Sequence, residues 1–315
     1  MKLSAVVRLS RPFTLLAPAV GMLATGFAAI GWAGSFELEG WSVTKILLGA
    51  LAAAILNIAS NSVNQIFDIE VDRINKPERP LPAGDLSLKQ AGVITVVTYL
   101  GALALAATIN ATIFWIVLFT AVLTYLYSGP PARTKRHWAF ANITIAIPRG
   151  FLLPMAGWAA VSGNELYAGA EVLPLGIWLF AAASGLFVLG AATTKDYADL
   201  KGDEAGGCIT LPLKFGVERS VRFVAPFLVL PWLGWAAAIA LTDPGGNHTF
   251  LFWGSLLLAA IGARAAWLLL RDPESLTSGS THPSWVLMYL MMIGSQIVFA
   301  LGYVVAPSVL AGYAP

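Results

Sequence analysis

The chain has 315 residues, is 57% hydrophobic and 11% charged, and carries a net charge of +2. Ordinary soluble domains are roughly a quarter charged, so the composition excludes one, and the near-neutral balance gives no reason to expect a nucleic-acid partner. The single cysteine, Cys208, excludes an internal disulfide framework and any multi-cysteine metal site.

Nine apolar runs follow one another near 13–33, 44–63, 91–109, 112–128, 139–160, 172–193, 222–242, 249–270 and 284–306. Each is about long enough to cross the hydrocarbon core of a bilayer. The expected fold is therefore all-α and integral to the membrane: one polytopic domain over 1–315, with nine transmembrane helices. The first run, followed by "WAGS", could be taken for a signal peptide. It is longer than a usual signal core, and removing it would break the topology below, so it is read as a retained span. The third and fourth runs are separated only by "NAT" at 110–112.

Charge fixes the expected orientation. With all nine runs spanning, 16 of the 19 Lys and Arg fall on the N-terminal side. Lys45 flanks the other side, and Arg149 and Arg264 fall inside spans. The positive-inside bias then puts the N-terminus in the cytoplasm, in a cell inner membrane. The loops on the far side are short and carry Glu37, Glu39, Glu165, Glu171 and Asp243. Two cytoplasmic loops, 64–90 and 194–221, are long and dense in charge and follow the second and sixth runs. That spacing suggests two pseudo-repeats of four helices plus one.

Leading from the second run into the first of these loops, Asn57, Asn61, Asn64, Asp68 and Asp72 recur at steps of three and four. On a helix they form one stripe that leaves the membrane at its cytoplasmic end; Pro77 then stops the helix. Crowded carboxylates resist burial unless a cation compensates them. Oxygen-only ligands suit Mg2+ or Mn2+, and with no His or Cys nearby zinc is not expected. In the second loop Asp196, Asp199 and Asp203 repeat the pattern, and Gly206 and Gly207 provide a stop. For each motif the plain alternative is a solvated charged segment. The continuation of the first stripe into a span, where polar groups are costly, argues against it.

Divalent ions in such a site usually bridge phosphate oxygens. Arg73, Arg79, Lys135 and Arg136 are available on the same face, and Tyr127 and Ser128 could donate hydrogen bonds. A ligand with a charged head at the surface and a hydrocarbon tail in the bundle fits, and an isoprenyl diphosphate is such a ligand. Aromatic faces would stabilise the allylic cation formed on ionisation, and the bundle would keep water from it.

"NQIFDIEVD" (64–72) resembles the first Asp-rich motif of the UbiA superfamily of intramembrane prenyltransferases, N-D/Q-x-x-D-x-x-x-D, and "KDYADLKGD" (195–203) resembles the second. "INKPERPLPAG" and "YSGPPARTKR" look like the family's connecting segments. The resemblance implies a bundle around a central cavity with a lateral opening for lipid substrates. It implies that Asn64, Asp68 and Asp72 bind one Mg2+–diphosphate group and Asp196, Asp199 and Asp203 the other. Arg73, Lys135 and Tyr127 become candidate diphosphate contacts. Gln65 and "PRG" at 148–150 are similar to homogentisate and chlorophyll-type members, whereas "ERPLPAG" and "TLPLKFG" are similar to members that prenylate geranylgeranylglyceryl phosphate. The partners are thus an isoprenyl diphosphate and a lipophilic or aromatic acceptor, and no obligate protein partner is inferred.

Arg149 stands mid-span between Pro148 and Pro154. It either meets an acceptor carboxylate or phosphate, or caps a carbonyl freed by proline. Arg11 reads as an interfacial anchor that could also touch an anionic acceptor. Two other functions remain open: internal cyclisation after the same ionisation, and ion transport. Both acidic stripes lie on one side of the membrane, whereas transport sites usually lie near the midplane.

Overall fold

The computed structural model describes residues 2–33, 40–162, 173–278 and 282–305. Glu37, Glu39, Glu165 and Glu171 lie outside the described residues. Among those described, nine helices are long and apolar enough to span a bilayer: α1 Pro12–Trp32, α2 Ser42–Phe67, α3 Leu88–Ile109, α4 Ala111–Ser128, α5 Trp138–Ser162, α6 Leu175–Lys195, α7 Val217–Leu241, α8 His248–Arg271 and α9 Pro283–Val304. They follow the apolar runs closely. The largest departure is α7, which begins at Val217 because Glu218, Arg219 and Arg222 form polar first turns ahead of the apolar run.

Local chemistry explains the helix ends. Ser87 and Gln90 form a capping box that starts α3. Asn110 is the whole connection between α3 and α4: its Oδ1 accepts from Ile113 N at 2.9 Å, and its Nδ2 donates to Ala159 O at 2.9 Å. That second bond ties the α3–α4 hairpin to α5.

In the first half, α2 packs on α3 and α3 on α4; in the second, α6 packs on α7 and α7 on α8. A short helix follows each acidic span end, Ile69–Asn75 after α2 and Leu200–Ala205 after α6, and these two pack on each other. The two four-helix halves therefore follow the same path, and α9 is added against α1 and α8. In lipid such contacts rest on close packing rather than on expulsion of water. Where α1 crosses α5, a Cβ on Gly157 would lie 2.7 Å from Met22 O and against Thr25 Oγ1, so only glycine permits that approach. Buried Trp158, Phe180, Trp235, Phe299 and Tyr303 fill the space between α5, α6, α7 and α9.

α1 packs on the second half of α5, Leu153–Ser162. Toward the acidic loops the bundle holds a cavity of about 370 Å3, lined from α1, α2, α4, α5, α6 and α9. An amphipathic helix, Leu3–Ser10, packs on α2. It buries Ala5 and Leu9 against Leu81, Leu86 and Ala91, and Arg8 pairs with Asp85. Arg11, at φ 54°, turns the chain from this helix into α1.

Candidate active site

The acidic motifs do not sit on continuous helices. α2 ends at Phe67, and Asp68 (φ −110°, ψ 14°) breaks it before Ile69–Asn75. Asp199 (φ −105°, ψ 8°) breaks the second motif in the same way before Leu200–Ala205. This corrects the expectation of two simple helical faces: Asp196 and Asp199 stand on tight turns, with Asp196 N bonded to Thr193 O at 2.9 Å and Asp199 N to Asp196 O at 3.2 Å. The expected glycine stop is present, with Gly207 at φ +67° and Cys208 N bonded to Asp203 O at 2.8 Å. Asn75 joins the motifs: its Nδ2 donates to Asp199 O at 2.9 Å and its Oδ1 accepts from Gly202 N at 3.0 Å.

Asn64, Asp68, Asp72, Asp196, Asp199, Asp203, Tyr127, Lys135 and Arg149 all line the one cavity. Each carboxylate but one holds a basic partner. Asp68 meets Lys135 in an ion pair, Arg133 Nη2 at 3.2 Å and Asn64 Nδ2 at 2.7 Å. Asp72 meets Arg79 Nη1 at 2.6 Å, Asp196 meets Lys195 Nζ at 2.7 Å, and Asp199 meets Lys76 Nζ at 2.8 Å. The Asp203 carboxylate receives no hydrogen bond or ion pair from the described residues. Burial, then the neighbouring Asp196 carboxylate, pushes its carboxyl up to about 7. Burial also raises Asp72 and Asp196 against the pull of Arg79 and Lys195.

Two residues are placed differently from the sequence reading. Arg73, expected at the diphosphate, does not line the cavity: one position beyond Asp72 turns it about 100° around the helix, and it pairs on the surface with Glu70 at 2.7 Å. Arg79, from the loop that folds back, takes the place beside Asp72. Arg11 is not a surface anchor but lines the cavity. Burial, with Arg79 and Arg149 nearby, lowers its guanidinium to about 10. Arg133, Lys76 and Lys195 were not read as site residues; only their position in loops flanking the motifs hinted at it.

The upper asparagines hold the scaffold. Asn57 and Asn61 donate to Thr14 O at 3.0 Å and Ser10 O at 2.9 Å, and Gln65 donates to Leu9 O at 2.8 Å. They fix the segment that carries Arg11. Tyr127 OH accepts from Lys195 Nζ at 3.3 Å, and Ser128 Oγ accepts from Asn64 Nδ2 at 3.3 Å.

Arg149 sits in a π-helical segment, Ile147–Leu152. Pro148 has no N–H to give the regular ladder, and its own carbonyl accepts from Leu153 five residues on. A Cβ on Gly150 would come within 2.6 Å of Gly185 Cα, so α5 and α6 touch there. The accessible surface of Arg149 opens onto the cavity, where Nη2 makes only a long bond of 3.4 Å to Asn57 Oδ1.

The donor set suits a hard divalent cation: every acidic ligand is oxygen, and buried Asp72 Oδ2 has no partner. Among the described residues no three acidic, His or Cys side chains converge tightly enough to hold an ion unaided. Oxygens from a ligand would have to complete the coordination.

Residues 19–281 match the UbiA prenyltransferase family. The chain is similar to a digeranylgeranylglyceryl phosphate synthase of Methanoculleus marisnigri, 30% identical over 83% of this chain and 82% of that protein. It is similar to the bacteriochlorophyll synthase 34 kDa chain of Chloroflexus aurantiacus, 30% identical over 85% and 81%. It is also similar to a probable homogentisate phytyltransferase 2 of Oryza sativa, 32% identical over 75% and 62%. Among solved structures, a digeranylgeranylglyceryl phosphate synthase superposes with a TM-score of 0.67 at 25% identity, over 96% and 98% of the chains. A UbiA homolog from Archaeoglobus fulgidus, bound to DMAPP and Mg2+, superposes with a TM-score of 0.71 at 22% identity, over 95% and 98%.

Proposed function

The chain belongs to the UbiA prenyltransferase family, and from that premise we propose that it moves a polyprenyl group from an isoprenyl diphosphate to a lipophilic acceptor with an anionic headgroup, a glyceryl phosphate lipid before others. The observation that carries this reading is the pair Arg11 and Arg149. Both guanidinium groups line the cavity beside the acidic motifs, and neither has a carboxylate partner among the described residues. Relatives named for making digeranylgeranylglyceryl phosphate agree with that chemistry.

The donor's head belongs at the acidic motifs. Asn64, Asp68 and Asp72 would hold one Mg2+, and Asp196, Asp199 and Asp203 a second, with diphosphate oxygens as further ligands. Bound there, Mg2+ draws charge from the diphosphate and makes it a better leaving group. Lys76, Arg79, Arg133, Lys135 and Lys195, which now pair with or stand beside these carboxylates, would bind the phosphate oxygens, and Tyr127 would donate a further bond. The allylic C–O bond breaks with its electron pair on diphosphate. The acceptor's nucleophilic atom then bonds to that carbon and loses a proton. The apolar lining, with Ile113, Leu152, Leu153 and Phe187 among it, holds the tail and excludes water from the cation. The positive-inside bias supports a site facing the cytoplasm.

Product analysis in lipid nanodiscs tests the reading. The protein receives geranylgeranyl diphosphate and Mg2+ with geranylgeranylglyceryl phosphate, homogentisate, 4-hydroxybenzoate or a chlorin alcohol. A prenylated glyceryl phosphate lost with EDTA is expected. Product from an aromatic acid alone would move the acceptor class, and a cyclised hydrocarbon without acceptor would overturn the transferase.

A further inference from the structure

We propose that the lipid-facing side of α8 binds the headgroup of an anionic phospholipid through Arg264, Trp267 and Arg271. α8 packs on α7 and α9. Its remaining side presents Trp253, Leu257, Ala260, Arg264, Trp267 and Arg271, all exposed and spaced three or four apart. None of the three proposed residues lines the catalytic cavity.

Arg264 lies seven residues inside the helix end, about 10 Å along the axis. A charge at that depth is costly unless it reaches the interface or finds a counter-charge. Its guanidinium carbon Cζ stands 4.3 Å from the centroid of the Trp267 ring, three residues nearer the helix end. Arg271 reaches back, with Cζ 5.0 Å from the same ring. Two guanidinium groups thus converge on one indole, and neither has a hydrogen bond or ion pair with a described residue. Cation–π contact uses the flat faces and leaves the N–H groups free in the guanidinium planes, where they can take a phosphate in bidentate fashion. Tryptophan marks headgroup level. Dissolved phosphate would have to leave water to reach Arg264; a lipid's phosphodiester is already there, and its tail can follow Leu257 and Trp253. By connectivity this end of α8 is on the same side of the membrane as the acidic loops.

The test uses the purified full-length protein in detergent and native mass spectrometry, with phosphatidylglycerol and phosphatidylcholine of matched chains. One phosphatidylglycerol should remain bound at a concentration roughly thirtyfold lower than phosphatidylcholine, as expected for two arginines near an anionic lipid. Arg264→Gln with Arg271→Gln should erase that preference, and Arg271→Gln alone should weaken it. Arg149→Gln, in the cavity, should leave it intact. A double variant that still prefers phosphatidylglycerol, or a preference lost in Arg149→Gln, would overturn the proposal. Prenyl transfer by the double variant in phosphatidylcholine nanodiscs reports that it is folded.

Discussion

Arg73 and Arg79 make the clearest contrast at the scale of single residues. Arg79→Ala should lower kcat/KM by roughly a hundredfold, the usual cost of losing one charged donor at a developing anion. Arg73→Ala should stay within about twofold, and steady-state kinetics on both separates the cavity from the surface. That the six polar residues of the acidic motifs share one place was legible because polar residues at helical spacing beside an apolar run are conspicuous. Arg79 and Arg11 were visible only as basic residues on the right side of the membrane; their places in the cavity were not, because a loop folding back and a positive-φ turn bring them in, and neither leaves a periodic trace. Asp203 makes a second prediction. Its carboxyl is held up to about 7 by burial, and only the ionised form takes a metal. Below pH 7, kcat/KM for the donor should therefore fall about tenfold per unit, and above it level off. A flat profile between pH 5.5 and 7 would contradict that role.

Elements add what residues alone do not. The nine spans were readable because length and hydropathy decide them. The breaks at Asp68 and Asp199, just beyond α2 and α6, were not, since no proline or glycine stands at either; at Pro148 the missing N–H marks the place but not the π register. Pro148→Ala restores a backbone N–H and favours regular α-helix over the π-segment. That register shift should rotate Arg149 away from the cavity and raise the acceptor's KM about tenfold, with the donor's KM little changed. Equal changes in both would mean that the segment is only structural. Asn75→Ala cuts both bonds between the acidic motifs. Initial rates against Mg2+ should then need several-fold more metal, and Asn75→Asp, which keeps the acceptor but loses the donor, should recover only part of the loss.

Across the whole molecule, the repeated path of α1–α4 and α5–α8 brings two loops, 131 residues apart from Asp68 to Asp199, onto one cavity. Charge counting anticipated that both loops share a side. It could not anticipate which helices touch, because α1 meets α2, α5 and α9 through shape rather than pattern. Asp68→Ala should abolish turnover while leaving the fold, since the packed core lies elsewhere; an unchanged elution profile and melting temperature with less than about 1% activity is the expected result.

The bond from Tyr289 OH to Phe13 O, 2.7 Å long, joins the first helix to the ninth. On the ribosome these two segments emerge at nearly opposite ends of synthesis. Until α9 has left the insertion machinery, this end of α1 is held by α2 alone and the wall that carries Arg11 stands incomplete. The wall of the cavity is therefore closed only when the last span is laid against the first.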